Sequence, residues 1–246
     1  MYVKSEWTSR DKSCKIIKKY HTWEFAKKHP RAERKEVTTE KQKEINQRRR
    51  RENLAMLMKD NFPVGSWYLT FTFKELPERE EIPHQIELFM SRMRGWLKRR
   101  GKEFKWIRVI ENMESGRPHF HLLTTKEAEF DEMQAAMKRL WKNGMVKIIP
   151  YGGELTDAMK MSDYFTKQKI AEHGGRISSS RNLKRPEPKK TPITRAQTWN
   201  HDMKPPKGYR IIEEYSYEGT TLDGYPIQRI VCERLPEKKT KGRGKP

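Results

Sequence analysis

The chain has 246 residues, 34% apolar and 35% charged, which suits one good-sized core with solvated extensions better than two apolar-rich domains. Its 54 Lys and Arg against 33 Asp and Glu give a net charge of +21, so a polyanion, nucleic acid first, is the expected partner. No stretch approaches the ~18 apolar residues of a membrane span, and neither an apolar leader nor a lipidation signal is evident, so a membrane role is excluded and a soluble, intracellular protein is expected.

Cys14 and Cys232 stand near opposite ends, outside any CxxC pair. They exclude a zinc knuckle built on thiolates alone and are expected to be reduced. From Thr38 to about Lys59 the sequence predicts a helix, with Thr38 or Thr39 as N-cap and a run of four arginines, Arg48, Arg49, Arg50 and Arg51, in its middle. That run reads either as a solvated face or as a track for phosphates. Trp67 to Phe73 (WYLTFTF) predicts a first core strand, with Leu69, Phe71 and Phe73 on one face and Thr70 and Thr72 on the other.

Ile82 to Arg100 has apolar residues at helical spacing and a stop at Gly101, which predicts an amphipathic helix. Phe104 to Glu111 and His119 to Thr124 predict a hairpin around the turn NMESGRP. A second amphipathic helix over Glu127 to Asn143 and a strand MVKIIP complete the order βαββαβ. The fold class expected is therefore α+β: a ferredoxin-like, split-βαβ antiparallel sheet with both helices on one face and the other face open to a ligand. A further helix is expected from Thr156 to Glu172, stopped by Gly174 and Gly175, then a Pro- and Lys-rich loop, a β-hairpin over Tyr209 to Leu235 and a disordered basic tail.

Within GRPHFHLL, His119 and His121 stand at i and i+2 of a strand and so share a face, with Cα atoms ~6.6 Å apart. If Glu111 pairs opposite His119, its carboxylate joins the two imidazoles and the three can hold one ion; a slip of one residue would undo this. On the last predicted helix Tyr164 and Lys167 are three apart and project from one face. A tyrosine nucleophile, a divalent ion and a lysine are the parts that transesterification of a nucleic-acid backbone requires.

These motifs, in this order, resemble those of the HUH endonucleases, and specifically the single-tyrosine rolling-circle replication initiators of phages, plasmids and integrative elements. LTFTF at 69 to 73 resembles their first motif, GRPHFHLL at 116 to 123 their metal-binding motif and YFTK at 164 to 167 their nucleophile motif. A glutamate eight positions before the first histidine and the segment SSSRNLKRP, 178 to 186, extend the likeness to a phage-type subgroup, over roughly residues 60 to 190.

The resemblance implies a palm that binds Mg²⁺ or Mn²⁺ through Glu111, His119 and His121, with single-stranded DNA of a replication origin across it. Tyr164 would attack the scissile phosphate, leaving a 5′-phosphotyrosine and a priming 3′-OH, with Lys167 orienting the tyrosine or offsetting charge. Mixed imidazole and carboxylate ligands suit Mn²⁺ somewhat better than Mg²⁺. Arg48 to Arg51, with Arg181 and Lys184, are the expected DNA contacts. Host helicase and polymerase are the expected further partners, in the cytoplasm of a prokaryotic host. The organisation expected is a basic helical extension over 1–60, the endonuclease core over 61–173, a loop and C-terminal β-hairpin over 174–235, and a tail over 236–246.

Other readings share parts of this evidence. A relaxase or a single-tyrosine transposase would carry the same histidine pair. A non-catalytic single-strand-binding protein, stacking bases on Trp67 and Trp106, would explain the charge but not the Tyr164–Lys167 spacing. A zinc-stabilised module would need more ligands than Glu111, His119 and His121, and His84, His173 and His201 are scattered.

Overall fold

The computed structural model describes residues 1–23, 25, 39–111, 117–166, 176–194, 203–221 and 223–236. They form an α+β structure of two compact units, Met1–Glu36 with Glu187–Pro246, and Val37–Pro186.

In the second unit α1 spans Glu40–Asn61, β3 Trp67–Thr72, α2 Glu81–Lys98, β4 Trp106–Glu111, β5 His119–Thr124, α3 Phe130–Leu140, β6 Val146–Pro150, α4 Leu155–Phe165 and β7 Arg176–Ser179. The sheet order is β6-β3-β5-β4-β7, and every pairing is antiparallel. Its first four strands follow the split-βαβ pattern that the element order predicts. Strand alternation sends Leu69, Phe71, Phe120, Leu122 and Ile110 to one face, where they meet Ile86, Phe89, Met93 and Trp96 of α2 and Met133, Met137 and Leu140 of α3.

Phe71 and Phe120 stack with centroids 4.2 Å apart, and Phe89 lies 4.6 Å from Phe71. Phe120 is fully buried, so Phe120→Ala is expected to cost about 3–5 kcal/mol in a denaturant titration. Because Phe120 anchors the strand between His119 and His121, metal affinity should fall in the same variant.

The opposite face departs from expectation. It carries Ile107, Val109 and Leu123, all fully buried, and apolar side chains there need a cover. α4 supplies part of it: the Phe165 ring is 6.2 Å from both Tyr68 and His121. α1 in turn braces α4 in antiparallel fashion. Gln47 Nε2 donates to the Thr166 carbonyl (2.9 Å), Arg51 pairs with Asp163 (2.7 Å) and Lys59 Nζ donates to the Gly153 carbonyl (3.0 Å). The face is exposed mainly along β6, at Lys147, Ile149 and the preceding Met145.

Thr39 caps α1, accepting from the Gln42 amide. Gly153 lies between β6 and α4 with φ +77°, and a Cβ there would come within 2.3 Å of the Val64 backbone, so glycine lets α4 start close against the chain that enters β3.

The other unit corrects the expected N-terminal extension. Residues before 40 do not extend the helix; Tyr2–Thr8 is a strand, β1, and Cys14–His21 another, β2. With β8 (Lys189–Pro192), β9 (Tyr209–Ile211), β10 (Tyr217–Thr220) and β11 (Pro226–Arg234) they build a six-stranded antiparallel sheet in the order β10-β11-β2-β1-β8, with β9 on β11. The expected C-terminal hairpin is present as β10–β11, turning at Gly224 with φ +77°. It is not a separate appendage, because β11 pairs with β2 along its length. The segment expected as a loop contributes β7 to one sheet and β8 to the other.

Cys14 and Cys232 are buried free thiols. No helix among the described residues is long and apolar enough to cross a membrane. The expected turn at 112–116, the helix end at 167–172, its glycine stop and the tail from 237 lie outside the described residues; Thr166 caps α4.

Candidate metal centre and tyrosine

The hairpin β4–β5 has the register that brings three ligands together: Glu111 is opposite His119, and Val109 opposite His121. Glu111, His119 and His121 therefore share one face, and one ligand atom from each lies within 4.8 Å of the others, a group able to hold a metal ion. His119 Nε2 is 3.1 Å from Glu111 Oε2, and His121 Nε2 is 3.4 Å from Glu111 Oε1.

Second contacts fix which ring nitrogen faces inward. His119 Nδ1 is 3.3 Å from the Arg117 carbonyl, which can only accept, so neutral His119 carries its proton there and turns a lone pair on Nε2 toward Glu111. His121 Nδ1 lies 2.7 Å from the Tyr68 hydroxyl and 3.1 Å from that of Thr70, either of which can take a proton from it. Both imidazoles are thus held from behind, as metal-bound histidines usually are.

The residues fit a divalent cation. Glu111 Oε1 and His121 Nε2 are both buried and have no hydrogen-bond partner among the described residues, an expensive arrangement that a bound cation would relieve. Burial alone would raise the Glu111 carboxyl, but hydrogen bonds and charge from His119 and His121 outweigh it and hold the group at about 2. The same hydrogen bond to Glu111 raises His119.

Metal ligation needs neutral His119, so protons compete with the cation below its raised pKa. Mn²⁺ affinity is expected to fall by up to about tenfold per pH unit on that side and to level off above it. Calorimetric titrations on either side of neutrality check the sign.

Tyr164, in the last turn of α4, is about one-third exposed, and its hydroxyl donates to Glu111 Oε2 at 3.2 Å. Burial, the Glu111 charge and this hydrogen bond push the phenol up to about 12. Its ring stands edge-on to His121 at 5.7 Å. α4 is set by a capping box between Glu154 and Asp157 and by its buried face, Leu155, Ala158, Met159, Ser162 and Phe165.

Four of the expected site residues, Glu111, His119, His121 and Tyr164, thus come together. Lys167 lies outside the described residues. Arg48, Arg49 and Arg50 are exposed on α1, whereas Arg51 is turned to Asp163, the neighbour of Tyr164, and so holds the tyrosine's helix. Arg181 and Lys184 are exposed; the Lys184 backbone is held by Asn61, which accepts from its amide at 2.8 Å and donates to its carbonyl at 2.9 Å. Tyr68 and Thr70 were not among the expected site residues. They stand on the polar side of WYLTFTF, and the pairing of Thr70 with His121 is the signal that identifies them.

Residues 66–169 match a family model of replication-associated proteins, the one that includes replication-associated protein ORF2. No curated protein and no solved structure matches the chain significantly. The matched span starts just before β3 and ends beyond α4, so it contains Glu111, His119, His121 and Tyr164 and excludes the strands of the six-stranded sheet. Over the segment that carries the candidate site, the chain is similar to replication-associated proteins, a likeness that points to a role in DNA replication.

Proposed function

We propose that the protein is a metal-dependent endonuclease and strand transferase that nicks and rejoins single-stranded DNA at a specific site, initiating rolling-circle replication of a mobile element. The observation that carries this reading is the contact between the Tyr164 hydroxyl and Glu111, which brings a nucleophile against a group able to hold a metal.

In this reading Glu111, His119 and His121 hold Mg²⁺ or Mn²⁺, which polarises the scissile phosphate and offsets charge on its oxygens. Glu111 keeps the phenolic proton in place while its own charge is unbalanced. Neutralising that charge weakens two of the three causes of the high Tyr164 pKa and favours the phenolate. The Tyr164 oxygen forms a bond to phosphorus, the bond from phosphorus to the 3′ oxygen breaks, and that oxygen takes up a proton. A 5′-phosphotyrosine and a free 3′-OH result, the latter available to a host polymerase behind a helicase. Lys167 would neutralise charge near the tyrosine, and Arg48, Arg49, Arg50, Arg181 and Lys184 would bind phosphates.

Incubation with Mn²⁺ and single-stranded DNA bearing the element's origin should give a protein–DNA adduct that survives denaturation and is lost when the metal is chelated. Strand binding with no adduct at any metal concentration would support a non-catalytic binding protein instead.

A further inference from the structure

A cavity of about 390 Å³ opens beside Tyr164. Its walls come from β3, from the end of β6 with the residues after it, and from α4: Tyr68, Ile149, Tyr151, Lys160, Met161 and Tyr164. The volume is at the small end of ligand pockets, which run from ~300 to ~1,000 Å³, and suits one flat ring system with little besides.

Aromatic and aliphatic walls favour stacking, and every nucleobase offers a π-face. Tyr151 provides a second, independent observation. It is 3% exposed, and its hydroxyl has no hydrogen-bond partner among the described residues. A buried hydroxyl without a partner is costly, and the polar edge of a base would satisfy it. The charges are placed for phosphates: Lys160 is exposed one turn before Tyr164 on the same helix face, and Lys147 on exposed β6 is opposite Thr70. Asp157, also in the wall, turns one carboxylate oxygen to the Glu154 amide at 3.3 Å.

Tyr164 belongs to both the cavity wall and the metal centre, so a phosphate within its reach has its attached nucleoside at the cavity mouth. We propose that this cavity binds the nucleobase adjoining the phosphate that Tyr164 attacks. Tyr68, Ile149 and Met161 hold the ring, Tyr151 reads a polar group on its edge, and Lys160 meets a flanking phosphate. The inference rests on Tyr164 being the nucleophile, but binding in the cavity can be measured without cleavage.

The test titrates the full chain, methyl-labelled at Ile and Met, with each of the four deoxynucleoside 5′-monophosphates and with 2-deoxyribose 5-phosphate, without metal. The Ile149 and Met161 methyl resonances should shift saturably with at least one nucleotide and not with the sugar phosphate. Ile149→Trp, which fills the cavity from an exposed strand, should weaken that binding at least about tenfold. Tyr151→Phe should reduce the differences among the four bases, and Lys160→Ala should weaken all bound nucleotides alike. Methyl resonances that stay in place with every nucleotide, or that move equally with the sugar phosphate, would overturn the proposal. An adduct formed by a protein whose cavity binds none of the four overturns the cavity assignment alone; nucleotide binding with no adduct on DNA overturns the nicking reading and leaves a nucleotide site.

Discussion

Tyr164→Phe is expected to abolish the covalent adduct, lowering its rate by at least about four orders of magnitude, since no other described hydroxyl stands in the same place. Tyr68 is turned to His121 Nδ1, and the Tyr151 hydroxyl is buried. Single-strand affinity and Mn²⁺ affinity should stay near wild type, because the phenol belongs neither to the ligand group nor to the basic surface. Stability should fall by less than about 1.5 kcal/mol, the range of one partly exposed hydrogen bond. Denaturing electrophoresis, strand-binding anisotropy and thermal unfolding of the same preparation separate these effects. An adduct that persists in the variant would move the nucleophile elsewhere.

The second large effect is on the metal. Glu111→Gln keeps the size and hydrogen-bonding reach of the side chain while removing the only carboxylate of the group, and Mn²⁺ affinity should drop at least about a hundredfold. The same change removes the charge that holds the Tyr164 proton, leaving burial as the main cause of its raised pKa. Tyr164 should then titrate below about 12 in the metal-free variant, as followed by the ring resonances of labelled tyrosine. Loss of activity with metal affinity unchanged would show that Glu111 acts as a base or a structural partner and not as a ligand.

Much of the site could be read from the sequence because a strand has a period of two. His119 and His121 had to share a face, and only one hairpin register put Glu111 beside them, the one the structure adopts. The central sheet and both helices of its first face followed from equally regular patterns, such as Ile86, Phe89, Met93 and Trp96 along α2.

What was not legible lacks a local signal. Leu54 to Met58 is five buried residues in a row, and a helix end covered on all sides has no amphipathic period to announce its packing on α4. Without that helix pair, the second face of the sheet looked open. Among the four arginines nothing distinguishes Arg51, whose partner Asp163 is remote in sequence. β1 and β2 were missed because lysines and a glutamate alternate with Val3, Trp7 and Ile16, and because the partner strands β8 and β11 come nearly two hundred residues later.

The central claim is that Tyr164 forms the bond to DNA, and peptide mass spectrometry of the trapped adduct tests it most directly. After nuclease trimming, the account predicts a nucleotide remnant on the peptide containing Tyr164, joined through a 5′ phosphate, formed only with Mn²⁺ or Mg²⁺ and absent from Tyr164→Phe. A remnant on another residue, or a 3′ linkage, would contradict it.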